Sequence, residues 1–202
     1  MTVHLSALPF PLEWDGAEPP SWYATDTGLE ATAAAETDWY VYAIEPPADP
    51  PKNGPRLLGV APDGDWQFSA RVTVDFNGTY DAGTLLLDVD EDHWSKLCFE
   101  YSPDGQGMVV SVITRGTSDD ANGWVVEGNT VWLRISRLGE GFVFHASADG
   151  ERWEFARAFA FGVEGPVRTG FGVQAPTGKG CKAVFEQIAF KQETLRELRD
   201  GS

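Results

Sequence analysis

The stretch GDWQFSARVTVDF (residues 64–76) has an apolar side chain at every second position. The apolar residues are Trp66, Phe68, Ala70, Val72, Val74 and Phe76, and the positions between them are polar. Successive side chains of a β-strand point to opposite faces, so a period of two produces one apolar and one polar face. The stretch therefore predicts a strand on the outside of a two-layer protein, with its apolar face against the second layer.

Strand-like segments continue along the rest of the chain, and turn residues separate almost all of them. They are GTLLLDV (83–89), HWSKLCFEY (93–101), GMVVSVITR (107–115), NTVWLRISRL (129–138), GFVFHAS (141–147), RWEFARAF (152–159), VRTGFGVQA (167–175) and CKAVFEQIAF (181–190). No long amphipathic helix is predicted between them, which favours an all-β antiparallel sandwich over an α/β fold. The first sixty residues are less regular, and the five prolines of EPPADPPKNGPR (45–56) predict a loop.

Three Asp-Gly pairs lie between or beside strand-like segments, at residues 63–64, 104–105 and 149–150. Glycine accepts the positive φ that tight turns require, so Asp-Gly is a strong hairpin signal. The third pair lies in SADGERW (147–153), which is similar to the Asp-box of sialidases except that an Asp-box has one more residue between Asp and Gly. Because the pair recurs at three such positions, it indicates turns and not catalysis.

Chain length and charge limit the organisation of the protein and its partners. A chain of 202 residues that is 42% hydrophobic is expected to form a single domain over residues 1–190, with 191–202 as a short C-terminal helix or frayed tail. The formal net charge of -16 repels phosphate backbones and anionic lipids, which predicts no nucleic acid partner and no membrane partner. The N-terminus has no basic and apolar leader, so a cytoplasmic location is expected, with Cys98 and Cys181 as reduced core thiols.

Several motifs occur together in a recognisable order. They are GDWQFSARV (64–72), YDAGTLLLDVDEDHWSKLCFEY (80–101), VSVITRGTSDD (110–120), VWLRISRLGEGFVFHASADGERW (131–153) and VRTGFGVQAP (167–176). With them, nearly the whole chain resembles an uncharacterised family of concanavalin A-like lectin/glucanase domains, the family that includes the yeast regulator-of-enolase protein. The resemblance implies a jelly-roll sandwich of two antiparallel sheets, one of them concave. It implies no catalytic mechanism.

One departure from the family's pattern concerns residues 116–124. Members typically read Ser-Asp-Trp after the Thr-Arg pair, whereas here four residues separate Asp119 from Trp124. The longer segment is expected to be a loop beside the concave face, where it either covers that face or leaves it open.

The segment HWSKLCFEY carries the main candidate site residues. Lys96, Cys98 and Glu100 share one face of this predicted strand, opposite Leu97, Phe99 and Tyr101. An unpaired charge is costly to bury. Glu100 is therefore expected either to brace the sheet, in an ion pair with Lys96 or an arginine, or to face a ligand.

Other polar and aromatic residues are expected to converge with this pair on the concave surface, with Arg115 and Arg134 on neighbouring strands. The predicted ligand-binding set is Tyr80, Asp81, Lys96, Glu100, Arg115, Asp119, Trp132 and Arg134, with Glu100 as the best catalytic candidate. Carboxylates and guanidinium groups beside aromatic rings are typical of sugar sites.

No cofactor and no metal is predicted. Asp90, Glu91 and Asp92 in DVDEDHW (88–94) are interpreted as a turn, because the glycine and distal glutamate of a calcium loop are absent. The three histidines are isolated, and no nucleotide-binding or nucleophile motif occurs.

Three functions remain open at this point. The first is a carbohydrate-binding or polar small-molecule-binding sandwich that uses its concave sheet. The second is a glycosidase or lyase, which requires a second carboxylate beside Glu100. The third is a metabolic regulator that binds a protein partner and no small ligand.

Overall fold

The alternating stretch forms one of the longest strands of the protein. The structure, a computed structural model, describes residues 1–49 and 51–202. Strand β6 (Trp66–Asp75) buries its apolar side chains completely and leaves the polar ones between them partly exposed. This confirms the predicted strand with one face against the second layer and the other toward solvent. Within the proline-rich stretch 45–56, residue 50 lies outside the described residues, and strand β5 begins at Arg56.

One sheet has eight strands, and all of its strand pairs are antiparallel. In spatial order they are β1 (Thr2–Val3), β2 (Leu12–Asp15), β5 (Arg56–Val60), β14 (Arg168–Gln174), β7 (Ala82–Asp90), β8 (His93–Tyr101), β9 (Gly107–Arg115) and β10 (Thr117–Val125). Residues 117–125, which the sequence assigned to a loop, therefore form the edge strand β10. They pair with β9 from Thr117 to Asn122 before a bulge interrupts the register.

The other sheet has seven strands and is also antiparallel. In spatial order they are β13 (Glu154–Phe159), β12 (Gly141–Ser147), β11 (Thr130–Leu138), β6, β15 (Gly180–Lys191), β4 (Leu29–Ala34) and β3 (Ser21–Ala24). The chain thus changes sheets between β10 and β11. Arg115 on β9 and Arg134 on β11 belong to different sheets, so the expectation that they lie on neighbouring strands is wrong.

Aromatic side chains from both sheets fill the core between them. The ring centroid of Phe171 on β14 lies 5.3 Å from that of Phe68 and 4.9 Å from that of Phe185 on β15. Burial of each such ring contributes about 1.5–3 kcal/mol to folding. Gly83 keeps the sheets close, because an added Cβ would lie 2.8 Å from Val72 Cγ1. The predicted all-β sandwich of two antiparallel sheets is confirmed.

Two of the three Asp-Gly pairs beside the predicted strands lie in hairpins. Asp149 and Gly150 connect β12 to β13, where Asp149 Oδ1 accepts hydrogen bonds from the backbone N–H groups of Glu151 and Arg152. Gly150 has a φ of +77°, which only glycine adopts without strain. Residues 104–105 connect β8 to β9, while residues 63–64 lie between β5 and β6 and carry the chain from one sheet to the other.

The C-terminal residues 192–202 form turns and no helix, so the helical alternative for this segment is wrong. The segment packs on the outer face of the seven-stranded sheet. Arg134 Nη2 donates to Gly201 O at 2.5 Å, and His145 Nε2 lies 2.9 Å from Leu198 O. The described part of the chain contains no helix of the kind that crosses a membrane.

Candidate functional site

A cavity of about 570 Å³ lies on the outer face of the eight-stranded sheet, beneath residues 38–44. Strands β8, β9 and β10 form its floor. Its polar and aromatic lining residues are Asp38, Tyr40, Tyr42, Tyr80, Lys96, Glu100, Ser102, Ser118, Asp120, Asn122 and Gln174. The volume falls within the range of small-molecule sites.

Strand β8 places two of the sequence-predicted residues in this cavity. Lys96 and Glu100 point outward, while Leu97 and Phe99 point into the core and are fully buried. Cys98, on the outward face between them, is buried against Ala82 and other apolar neighbours. The two-residue period of the strand therefore assigns these faces as the sequence predicts.

Lys96 is a buried cation with two hydrogen-bond acceptors, on Asp38 and Gln174. Its ammonium group donates to Asp38 Oδ1 at 2.9 Å and to Gln174 Oε1 at 2.8 Å, and only 3% of the residue is exposed. Burial lowers the pKa of Lys96, but the surrounding negative groups, led by Asp38, outweigh burial, and the pKa is raised. Lys96 therefore remains charged, and its charge is largely compensated by Asp38.

The segment that carries Asp38 is fixed to the sheet by side-chain contacts. Asp38 Oδ1 accepts a hydrogen bond from Trp39 N at 2.7 Å, and Trp39 Nε1 donates to Gly54 O at 2.6 Å. The guanidinium group of Arg56 lies 3.6 Å from the centroid of the Trp39 ring. These contacts position Asp38 before any ligand arrives.

Glu100 is the least satisfied charged group of the cavity. Its contact with Gln174 Nε2 is long, at 3.4 Å, and it forms no ion pair with Lys96 or with any other described residue. Burial raises its pKa to about 7; Lys96 opposes this shift, while Asp38 and Asp120 add to it. The bracing ion pair considered for Glu100 is therefore absent, because Lys96 pairs with Asp38 instead.

Three tyrosines surround the opening of the cavity. Tyr40 donates its hydroxyl to Asp120 Oδ1 at 3.1 Å, and burial together with Asp120 raises the pKa of Tyr40 to about 12. The rings of Tyr40 and Tyr42 meet edge to face at 4.8 Å. Tyr42 and Tyr80 are 38% and 42% exposed, so both rings are accessible to a ligand.

Residues 38–44, and not 116–124, cover this face. Ser118 N donates to Val41 O at 2.8 Å, and Ser118 Oγ accepts from Val41 N at 3.0 Å. The covering segment is thereby held along the edge strand β10. Strand β10 itself contributes Asp120 and Asn122 to the wall of the cavity.

Three other sequence-predicted residues lie outside the cavity. Arg115, the last residue of β9, donates hydrogen bonds from Nε and Nη2 to Ala160 O. Asp119 points away from Asp120 on the same strand and pairs with Arg157 at 2.6 Å. Asp81 is fully buried, and its carboxylate accepts from the backbone N–H groups of residues 77 and 78.

Trp132 and Arg134 lie on the outer face of the seven-stranded sheet. Trp132 Nε1 donates to Gln187 Oε1 at 2.9 Å. Arg134 stacks 4.0 Å from the Trp153 ring centroid, and burial lowers its pKa to about 10. Of the predicted set, the structure thus brings only Tyr80, Lys96 and Glu100 together.

Sequence reasoning missed the rest of the cavity. Asp120 and Asn122 alternate with Asp119 and Ala121, a strand-like period that their polar composition obscured. Asp38 and Tyr40 follow an irregular segment that carries no motif. No local pattern identifies their position over the sheet.

The DVDEDHW stretch forms a turn and an ion pair cluster. Asp90 Oδ1 accepts from the backbone N–H of Asp92 and of His93, as the turn interpretation predicts. Asp88 is buried between Arg56 and Arg168, at 2.7 Å and 2.5 Å. Within residues 1–49 and 51–202, no group of three or more His, Cys, Asp or Glu residues is arranged to hold a metal ion.

Together, the fold and the cavity define a β-sandwich protein with a pocket, lined by charged, aromatic and aliphatic side chains, on the outer face of its larger sheet. Residues 16–193 match DUF1349, a family described as "Protein of unknown function", and the chain belongs to this family. It is also 28% identical to Regulation of enolase protein 1 of Saccharomyces cerevisiae over 148 residues. This alignment covers 72% of this chain and 74% of the yeast protein.

Solved structures share the fold at lower identity. A functionally unknown protein from Saccharomyces cerevisiae superposes with a TM-score of 0.82 and 22% identity, over 95% of this chain and 100% of that one. The GH43 BlXynB protein from Bacillus licheniformis gives 0.68 and 13%, over 87% of this chain and 36% of its own. An alginate lyase from Klebsiella pneumoniae gives 0.54 and 14%, over 84% and 82% of the two chains.

Proposed function

We propose that this protein binds a saccharide or a similar polyhydroxylated small molecule in the cavity beneath residues 38–44. The observation that carries the proposal is the combination of accessible tyrosine rings with an incompletely satisfied carboxylate in one enclosed space. Tyr42 and Tyr80 offer flat faces for the apolar side of a sugar ring. Glu100, Asp120 and Asn122 offer hydrogen-bonding groups for hydroxyls.

Fold relatives support a saccharide ligand by analogy. Another fold neighbour is described as a GH43 glycoside hydrolase, and the Klebsiella pneumoniae protein as an alginate lyase, so both are named for activities on carbohydrates. A concanavalin A-like sandwich is the fold that the family resemblance implies. Analogy of fold is a weak argument for function, since one architecture hosts many unrelated sites. The proposal therefore depends on the side chains of the cavity.

A second candidate is a glycosidase or lyase, which the raised pKa of Glu100 favours. A carboxyl group with a pKa near 7 is suited to general acid or base catalysis at neutral pH. Paired-carboxylate hydrolysis, however, requires a second carboxylate within roughly 5 to 9.5 Å. Asp38 acts on the pKa of Glu100, but its carboxylate is held in the ion pair with Lys96. Asp120 is level with Lys96 in the strand register, two strands and four residues from Glu100, which is about 16 Å between Cα atoms on a flat sheet. Binding therefore ranks above hydrolysis.

The experiment is a glycan array followed by calorimetric titration of the best glycan. Glu100→Gln and Asp120→Asn are each expected to weaken binding about tenfold, the effect of losing one charge-assisted hydrogen bond of about 1.4 kcal/mol. Glu154→Gln, at an exposed position on β13, is the matched control and should bind as the parent does. Asp119→Asn is also expected to bind normally, because Asp119 pairs with Arg157 outside the cavity.

The same experiment separates the alternatives. If the parent protein releases reducing ends from the bound glycan and Glu100→Gln does not, the glycosidase or lyase alternative is favoured. If no glycan binds, the proposal is wrong. A protein partner that co-purifies with the parent but not with Ile44→Asp would then favour a regulatory role, as the name of the yeast relative suggests. Ile44 is the position to change because it is 82% exposed at the cavity rim.

A further inference from the structure

The geometry points to an amine-bearing saccharide, which enters the cavity as a cation, as the preferred ligand. This inference rests on the proposed function and narrows it to one class of sugar. It depends on how charge is distributed over the cavity wall. It excludes uronic acids and other anionic sugars as preferred ligands.

The cavity carries more negative than positive charge. Its charged lining residues are three carboxylates, on Asp38, Glu100 and Asp120, and a single ammonium group on Lys96. With all four ionised, the wall has a net charge of minus two. The whole chain adds to the same sign, with a formal net charge of -16. Such a field attracts cations and repels anions before contact.

Lys96 is not available to an anionic ligand. Its ammonium group is held between Asp38 Oδ1 and Gln174 Oε1, at 2.9 Å and 2.8 Å. A ligand carboxylate would have to displace Asp38 from a nearly buried ion pair, in which the Asp38 side chain is only 14% exposed. It would also lie near the carboxylates of Glu100 and Asp120. Both effects oppose a uronate.

Glu100 and Asp120, in contrast, have no cationic partner among the residues that the structure describes. Glu100 accepts one long hydrogen bond from Gln174 Nε2, and Asp120 accepts a hydrogen bond from the hydroxyl of Tyr40. Ionised carboxylates accept hydrogen bonds only, so each retains unused acceptor positions. An ammonium group on the ligand supplies three donors and the compensating charge that the wall lacks.

The tyrosines favour the same class of ligand. The exposed rings of Tyr42 and Tyr80 and the ring of Tyr40 surround the opening. The face of an aromatic ring attracts a cation, and it also stacks on the apolar face of a pyranose. An aminated sugar uses both properties, whereas a neutral sugar uses only the second.

Protonation of Glu100 gives the inference a pH signature. The groups that face Glu100 are Lys96 on its own strand, Asp38 on the covering segment, Asp120 on β10 and Gln174 on β14. The pKa of Glu100 is about 7, so its ionised fraction rises about tenfold between pH 6 and pH 8. If the ammonium group of the ligand requires ionised Glu100, its affinity rises by about the same factor.

The test uses three probes that share one ring and differ only at C6: methyl 6-amino-6-deoxyglucoside, methyl glucoside and methyl glucuronide. Their affinities are measured by NMR titration at pH 6 and pH 8 in low salt. We expect the amine probe to bind at least tenfold more tightly than the glucuronide at pH 8. Its affinity should rise about tenfold from pH 6, and this rise should exceed that of the neutral probe, which gains a stronger hydrogen bond from ionised Glu100 but no ion pair. Glu100→Gln should remove the pH dependence, and Glu154→Gln should retain it.

The outcomes separate this inference from the function on which it rests. Equal or tighter binding of the neutral or the acidic probe overturns the amine preference and leaves saccharide binding intact. If no probe binds, the same comparison is read from aminated, N-acetylated and uronic glycans on the array. An array on which no glycan binds overturns both.

Discussion

Replacement of Glu100 by glutamine is expected to stabilise the unliganded protein strongly at pH 8 and much less at pH 5. The pKa of Glu100 is raised from its ordinary value of 4.5 to about 7, chiefly by burial. Below pH 4.5 the carboxyl group is protonated in the folded and unfolded states alike, so its contribution to stability is fully retained. Between pH 4.5 and 7 the unfolded chain releases its proton while the folded chain keeps it, so stability falls as the pH rises.

The magnitude follows from the size of the pKa shift. A shift from 4.5 to about 7 corresponds to about 3 kcal/mol at 1.36 kcal/mol per pKa unit. Linkage assigns about 1 kcal/mol of this cost at pH 5 and nearly all of it at pH 8. Glutamine keeps the shape of the side chain and carries no charge, so it removes that cost. For a chain of this length, about 3 kcal/mol raises Tm by roughly 6 to 12 °C.

The assay is thermal and urea unfolding of the parent, Glu100→Gln and the exposed control Glu154→Gln at pH 5 and pH 8. The difference between Glu100→Gln and the parent should grow with pH, and the control should show no such trend. Destabilisation of Glu100→Gln at pH 8 would mean that the carboxylate is held in an ion pair, as in a structural brace. The reasoning about this site would then be wrong.

Three further predictions concern other parts of the molecule. Asp149→Asn should leave ligand binding unchanged and lower Tm only slightly, because Asp149 serves the hairpin between β12 and β13; loss of binding by a folded variant would contradict this. Thiol titration of the denatured, unreduced protein should find two free thiols, and the native protein should react slowly, because Cys98 and Cys181 are buried and burial raises the pKa of both; finding no free thiol would refute it. Burial lowers the pKa of His145 from 6.5, so docking of residues 192–202 should weaken as the pH falls below 6.5, with lower amide-exchange protection factors in that segment. His145→Gln should abolish the trend, and equal protection factors at pH 7 and pH 5 would count against it.

Part of the candidate site could be predicted from the sequence because strand periodicity is local. The alternation in HWSKLCFEY assigns Lys96 and Glu100 to the face opposite Leu97 and Phe99, and the structure has them there. The same reasoning failed for Arg134, whose strand has an equally clear period. Periodicity identifies the two faces of a strand, but it does not identify the sheet to which the strand belongs.

Local sequence patterns alone establish the two-sheet class of the fold, the hairpins at residues 104–105 and 149–150, and the inward faces of β6 and β8. These features depend on neighbouring residues, through the period of two and the φ preference of glycine. Three other features depend on tertiary contacts: β10 and β11 lie in different sheets, Lys96 pairs with Asp38, and Glu100 has no ion-pair partner among the described residues. Lys96 and Asp38 are 58 residues apart in the chain, and Asp38 lies in a segment without regular structure. No local pattern encodes such a contact.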